Sequence, residues 1–229
     1  MAVKPFARLL CRVMTTSDRP SIIAIDGPAA SGKTTVGKVL AERLAYRFLD
    51  TGLMYRAFTL AALRAGIAAV DSDAATLAET IDMRLSVGRV ARISLDDEDV
   101  TDDLHRDDIE QRVSAYSRIA AVRTAMRTRQ RDYAAGGRAI LAGRDIGEVV
   151  LPDADLKFYL EASEEAREAR RHSERTGDRH EVGQALRTRD RGDAAQTFRP
   201  GDAVTIDTTH LTLDEVVSLA WEAIECFSA

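Results

Sequence analysis

The chain has 229 residues, 45% hydrophobic and 30% charged, with a formal net charge of −5. This suits one globular domain with a sizeable core, and the acidic balance argues against a duplex-binding surface, so no nucleic-acid partner is expected. Cys11 and Cys226 stand far apart without CxxC spacing and the histidines are scattered, which argues against a disulfide framework and a zinc site. No apolar run approaches the roughly 18 residues of a membrane span, so no membrane partner is expected and a cytoplasmic location is the default.

The first twenty residues interleave Lys4, Arg8 and Arg12 with Phe6, Leu9, Leu10, Val13 and Met14, and no acid precedes Asp18. Such a pattern mimics a transit peptide, although its apolar stretches are too short for a secretory signal. Residues 1–20 are expected to be a disordered extension, or the result of a start placed upstream of Met14. The folded domain is expected over 21–229.

The apolar run Ile22-Ile23-Ala24-Ile25 reads as a buried strand. It leads into Gly27-Pro28-Ala29-Ala30-Ser31-Gly32-Lys33-Thr34, a full match to G-x-x-x-x-G-K-[ST], with Thr35 following. Val36, Val39, Leu40 and Leu44 then recur at helical spacing, so a helix N-terminus would aim its unpaired amides at bound phosphate. Glycines let the backbone approach phosphate oxygens, Lys33 supplies a mobile charge for the outer phosphates, and the Thr34 hydroxyl suits Mg²⁺. A chance glycine turn would not explain a lysine at the end of the loop in a chain with only four lysines.

A second strand is read at 46–49, ending at Asp50-Thr51-Gly52 before a helix that carries Met54, Tyr55, Phe58 and Leu63 and stops near Gly66. Further core strands are read at 138–142, 156–160 and 203–206. Alternating strands and helices imply a mostly parallel α/β sheet with helices on both faces. Thr212 with Glu215 three residues on marks a capping box for a last helix, whose face of Val216, Val217, Ala220, Ala223, Ile224 and Phe227 should close the core. Between 71 and 113, Leu85, Val87, Val90, Ile93 and Leu95 alternate with polar residues, and Asp96-Asp97-Glu98-Asp99 looks like a hairpin tip. This reads as a small antiparallel insert. The stretch 163–200 is rich in charge and poor in large apolar residues, opens with Ser163 as N-cap, and reads as mobile.

A phosphate loop alone fits GTPases, ATPases and small-molecule kinases. The NKxD-like base motif of GTPases is absent, and motor-type ATPases usually need a longer chain. Asp50 to Arg56 opens a helix with a hydroxyl and a guanidinium one turn apart, suited to a second phosphate. Gly143-Arg144-Asp145-Ile146-Gly147 follows the strand at 138–142, where open α/β sheets gather ligands. There Arg144 would neutralise transferring phosphates and Asp145 could read a base. Arg189-Asp190-Arg191-Gly192-Asp193 could swing over the reacting phosphates, or be solvated helix surface. Arg123, Arg127, Arg129 and Arg131 could make a local anion pocket.

IDGPAASGKTT, LDTGLMYRA, GRDIGEVVLPDA, RDRGD and DAVTIDTT occur in the order seen in bacterial cytidylate kinases, and from about Ser21 onward the chain resembles that family of P-loop nucleoside monophosphate kinases. The resemblance implies an α/β P-loop fold with a small antiparallel monophosphate-binding insert at about 71–113 and a helical lid at about 163–200. It also implies Mg²⁺-dependent transfer from ATP to CMP and dCMP by a protein that is typically monomeric. By matched position, Thr51, Arg56 and Arg144 would hold the acceptor phosphate. Ser114, Arg123 and Asp145 would contact cytosine, with Ser114 and Arg123 carried on one amphipathic helix, and Arg189 and Asp193 would contact the acceptor's sugar and phosphate as the lid closes. Lys33, Arg144 and Arg189 would be the catalytic cations.

The chain departs from the family pattern on the lid side. Gln196 stands where members usually carry an arginine, and Arg199, three residues on in a shortened loop, could take its place. Ala142 replaces an acid before the GRD triplet, and Glu148 a frequent threonine. A kinase for another small acceptor, or a nucleotide-binding regulatory protein without turnover, are the alternatives these changes leave open.

Overall fold

A computed structural model describes residues 19–70, 72–86, 88–173 and 179–227. The extension expected over residues 1–20 falls outside the described residues except at its end. There the Arg19 guanidinium lies 5.7 Å from the Trp221 ring centroid and Pro20 is buried, so these two residues pack on the domain.

The first unit is β1 (Ile22–Asp26), the phosphate loop and α1 (Lys33–Leu44); the second is β2 (Arg47–Asp50) and α2 (Thr51–Arg64). β2 starts one residue later than the apolar pattern suggested, because the Tyr46 amide bonds back to the Ala41 carbonyl at 2.8 Å and closes the end of α1. Three later strands complete the sheet: β6 (Ala139–Gly143), β7 (Leu156–Glu161) and β8 (Val204–Asp207). Arg138, predicted as the first residue of β6, has φ 46° and belongs to the preceding turn. The strand order is β2-β6-β1-β7-β8, with every pairing parallel.

Because the sheet is covered on both faces, its central strands read as unbroken apolar runs rather than alternating ones. On one face Ile23, Ile25, Phe48 and Phe158 pack with Val36 and Leu40 of α1 and with Val216, Val217, Ala220 and Ile224 of α9 (Leu213–Glu225). The capping box of α9 is formed: Thr212 Oγ1 accepts from the Glu215 amide at 3.3 Å, and Glu215 Oε2 accepts from the Thr212 amide at 2.8 Å. On the other face Ala24, Leu49 and Leu141 pack with Met54 and Phe58 of α2 and with Val122 and Met126 of α6 (Ala120–Ala134).

The insert follows α2. It comprises α3 (Asp73–Thr80), a small antiparallel sheet of β3 (Met83–Leu85), β4 (Ile93–Leu95) and β5 (Glu98–Asp99), a single tight helical turn over Thr101–His105, and α4 (Asp107–Glu110). The hairpin tip is narrower than expected. Asp96 and Asp97 have φ 47° and 66°, the left-handed pair that a two-residue hairpin turn demands, while Glu98 and Asp99 pair with β4. Val90 departs from the antiparallel reading and bridges in parallel to Phe48, so the insert docks on the free edge of β2; Val87 lies outside the described residues.

Ser114 and Arg123, expected on one helix, lie on two. α5 (Val113–Tyr116) ends before the chain turns through residues 117–119 into α6. The charged stretch at 163–200 folds into α7 (Glu164–Ser173) and α8 (Arg179–Asp193). Ser163 caps α7 by accepting from the Ala166 amide at 3.2 Å, and Leu186 of α8 is buried.

Candidate active site

Parallel register brings the motifs together. Asp26 lies opposite Gly143 and Asp50 opposite Ala142, so the phosphate loop, the LDTG turn and the GRD turn leave neighbouring strands at one edge, where α/β sheets bind ligands. Gly27 has φ 148°, and a Cβ there would stand 2.1 Å from the Leu160 carbonyl oxygen, so no other residue fits. Gly32, with φ 95°, opens α1.

Lys33 Nζ donates to the Pro28 carbonyl at 2.6 Å. Burial, reinforced by Arg144, pushes its ammonium down to about 7. Beneath the loop, buried Asp26 accepts from the Ile146 and Gly147 amides at 2.8 and 2.7 Å; burial pushes its carboxyl up to about 6 despite those bonds. Thr34 donates its hydroxyl to Asp50 Oδ2 at 2.7 Å, and Asp50 Oδ1 caps α2 through the Gly52 amide. Among the described residues no three acidic, histidine or cysteine side chains gather to hold a metal. One hydroxyl beside one carboxylate fits an ion that arrives with its phosphates and keeps several waters, the habit of Mg²⁺.

The loop opens into a cavity of about 310 Å³. All the acceptor-side residues that the resemblance implied line it: Thr51, Arg56, Ser114, Arg123, Arg144, Asp145, Arg189 and Asp193, with Ala29, Ala30, Gly32, Lys33, Thr34 and Thr35 from the loop side. Gly27, Pro28 and Ser31 lie outside the lining and shape the loop from behind. Thr51 Oγ1 is tied to the Ala142 carbonyl at 2.9 Å. Arg144 pairs with Asp193 at 2.8 Å. Asp145 pairs with Arg123 and, at 3.3 Å, with Arg127. A protein of net charge −5 thus lines this cavity with Lys33 and five arginines against three aspartates, which marks it as an anion site.

Other parts of the sequence reading need correction. Of the arginine cluster on α6, only Arg123 faces the cavity, with Arg127 one step behind. Arg129 donates to the Ile81 carbonyl and Arg131 to the carbonyls of Val149 and Val150, so both serve the fold. The segment around Arg189 is not solvated surface: Arg189 bonds Glu110 at 2.6 Å, and Asp190 bonds Arg167. Arg171, Glu110 and His105 were not singled out from the sequence, yet Arg171 and His105 line the cavity. Partial burial and the nearby Arg56 hold the His105 imidazole below its ordinary range.

Of Gln196 and Arg199, it is Gln196 that reaches the cavity. Gln196 lines the cavity and its Oε1 accepts from Arg123 at 3.0 Å, so it orients a neighbouring guanidinium. Arg199 is exposed and not part of the lining. Arg199→Ala should therefore leave turnover within about twofold of the unmodified protein, roughly 0.4 kcal/mol on the transition-state scale. A sharp fall in kcat/KM for that variant would return Arg199 to the site.

Comparisons with known proteins agree with this geometry. The sequence profile of the family described as cytidylate kinase matches residues 23–226. A cytidylate kinase of Herpetosiphon aurantiacus is 43% identical over 212 residues, covering 88% of this chain and 93% of the relative. One of Nocardia farcinica is 42% identical over 215 residues, covering 88% and 92%; one of Bacillus pumilus is 39% identical over 214, covering 89% and 95%. Among solved structures, an uncharacterised protein of Eubacterium ventriosum superposes with a TM-score of 0.51 at 13% identity over 90% of this chain and 99% of its own, a likeness of fold. With its family profile spanning nearly the whole domain and its motif residues meeting in one cavity, this chain belongs to the cytidylate kinase family.

Proposed function

We propose that the protein transfers the γ-phosphoryl group of ATP to CMP and dCMP, giving ADP and the matching diphosphates. The observation that carries this reading is the single cavity joining the phosphate loop to an arginine-rich pocket that ends at the Arg123–Asp145 pair. Two phosphates can meet there in line. The acceptor phosphate is already ionised at neutral pH, its second pKa lying near about 6, so its oxygen attacks the γ-phosphorus without a general base and the bond to the β-bridging oxygen breaks. Positioning and charge neutralisation then carry the catalysis.

Lys33 and the loop amides hold the donor phosphates, and Arg144 and Arg189 face the transferred group. Thr51 and Arg56 hold the acceptor phosphate. Mg²⁺, held by Thr34 and Asp50 together with the nucleotide, would neutralise donor phosphate charge when bound. Asp193 Oδ1 is buried without a hydrogen-bond partner among the described residues, which suits a sugar hydroxyl. The insert at 71–113 and the lid at 163–200 act as acceptor-binding and closing segments. A monomer, the typical state of the family, is the proposed assembly. Among the described residues no helix is long and apolar enough to cross a membrane; a cytoplasmic location completes the proposal.

Cytosine offers an N4 amine to a carboxylate and ring acceptors to Arg or Ser donors, and uracil reverses the pattern at the amine position. Asp145 reads that amine, while Arg123 and Ser114 serve the ring acceptors. Asp145→Asn adds a donor beside the base, so discrimination between CMP and UMP should narrow by roughly 1–3 kcal/mol, the scale of one good base contact. Competition kinetics with the two monophosphates measure it. Equal weakening of both would assign Asp145 to phosphate or fold and place base reading elsewhere.

A further inference from the structure

We propose that Glu110 is a positioning residue of the acceptor site, a counter-anion behind the cavity wall that holds three guanidinium groups facing into it. The inference rests on the acceptor reading above. Glu110, at the end of α4 in the insert, pairs with Arg56 from α2, with Arg171 from α7 at 2.7 Å and with Arg189 from α8 at 2.6 Å. One carboxylate therefore joins the core, the insert and both lid helices.

Its place relative to the cavity decides its role. Arg56, Arg171 and Arg189 all line the acceptor cavity, and Glu110 does not; it borders a neighbouring space of about 550 Å³ between α4, α5 and α8. The guanidiniums stand between Glu110 and the acceptor cavity, so Glu110 braces them from behind instead of filling the phosphate's place. Three like charges converging on one wall repel one another, and burial strengthens that repulsion. A single carboxylate with a side chain only 14% exposed draws them together and leaves an excess of two positive charges among these four residues, the next carboxylate being Asp193, 3.6 Å from Arg189 and shared with Arg144. That excess matches a phosphate dianion, and the paired guanidiniums are held in place before it arrives.

The side chain is poorly placed for the alternatives. It touches neither the phosphate loop nor the Arg123–Asp145 end of the cavity, so its influence should fall on acceptor phosphate and, through Arg189, on turnover, and not on ATP binding or base choice. Its contacts span the lid, so it also couples lid position to the arrangement of Arg56 in the core.

Calorimetric titration of CMP into the full-length protein and its Glu110→Gln variant, with KM values for CMP and ATP from ADP release, tests this. The expected result is CMP binding weaker by about tenfold to a hundredfold, the factor for losing a hydrogen bond to a charged group, with the ATP KM within twofold and the melting temperature nearly kept. Should the Gln variant fail to fold, Glu110→Asp keeps the charge and shortens the reach, and a smaller loss of CMP affinity in the same direction is expected. Unchanged CMP binding in a folded variant overturns the proposal, and so does tighter binding, which would make Glu110 a competitor of the phosphate. A parallel rise in both KM values would reduce it to a structural role. An unmodified protein that does not bind CMP sinks the acceptor reading itself, whereas CMP binding that ignores Glu110 sinks only this inference.

Discussion

Lys33→Ala should remain folded and lose on the order of 10² or more in kcat/KM, the scale found when a preorganised charge stabiliser is removed. The reason is electrostatic. Lys33 is the loop's only cationic side chain, and it is anchored on the Pro28 carbonyl, beside the path of the outer phosphates. Burial and Arg144 disfavour its charge, and a polyphosphate would reverse that preference. With its ammonium pushed down to about 7, Lys33 is mostly neutral at about pH 8, so nucleotide binding at that pH should take up a proton. Titrating a non-hydrolysable ATP analogue in two buffers of different ionisation enthalpy reads that uptake, and the Ala variant should lack it. Near-normal turnover in Lys33→Ala would remove the lysine from the mechanism.

The second large effect is on stability. Asp26 is fully buried and its two carboxylate oxygens hold the amides of Ile146 and Gly147, so it ties β1 to the turn that carries Arg144 and Asp145. Asp26→Ala leaves two buried donors unpaired and should cost about 2–6 kcal/mol, one to three for each, as read from urea unfolding. The pH dependence has a definite sign. Because burial raises the folded carboxyl to about 6 from 3.8, the folded state binds more protons than the unfolded chain between about pH 4 and 6. The contribution of Asp26 to stability therefore declines as pH rises through that window. Comparison with Asp26→Asn at each pH isolates this slope; parallel curves would contradict the raised carboxyl.

Much of the site was readable from the sequence, because its parts are local. A loop between a buried strand and a helix carries its own signature, and Thr51, Arg56, Arg144 and Asp145 stand at fixed offsets from strand ends that parallel register then aligns. The same holds for α9, whose capping box and apolar face lie within one segment. What escaped were partnerships between distant segments. Glu110 meets Arg56, Arg171 and Arg189 from three helices, and no spacing rule connects such positions. Arg129 and Arg131 share a cluster with Arg123, but helical geometry turns them toward backbone carbonyls instead of the cavity. Strand ends slipped by a residue where Tyr46 closes a helix and where Arg138 adopts a left-handed turn. In the lid, expected as helical but mobile, a low apolar content concealed packing that includes ion pairs such as Arg187 with Glu168 and Arg144 with Asp193.

The central claim is that the Lys33 loop and the arginine-lined pocket act on two substrates in one step. It is tested most directly by offering the purified protein Mg²⁺ and ATP with a panel of nucleoside monophosphates and small sugar acids, and following ADP release together with the phosphorylated product. The account predicts stoichiometric ADP and diphosphate with CMP and dCMP, far slower reaction with UMP and purine monophosphates, and little ATP hydrolysis when no acceptor is present. Tight ATP binding with no product from any acceptor, or faster turnover of an acceptor lacking cytosine, would contradict it.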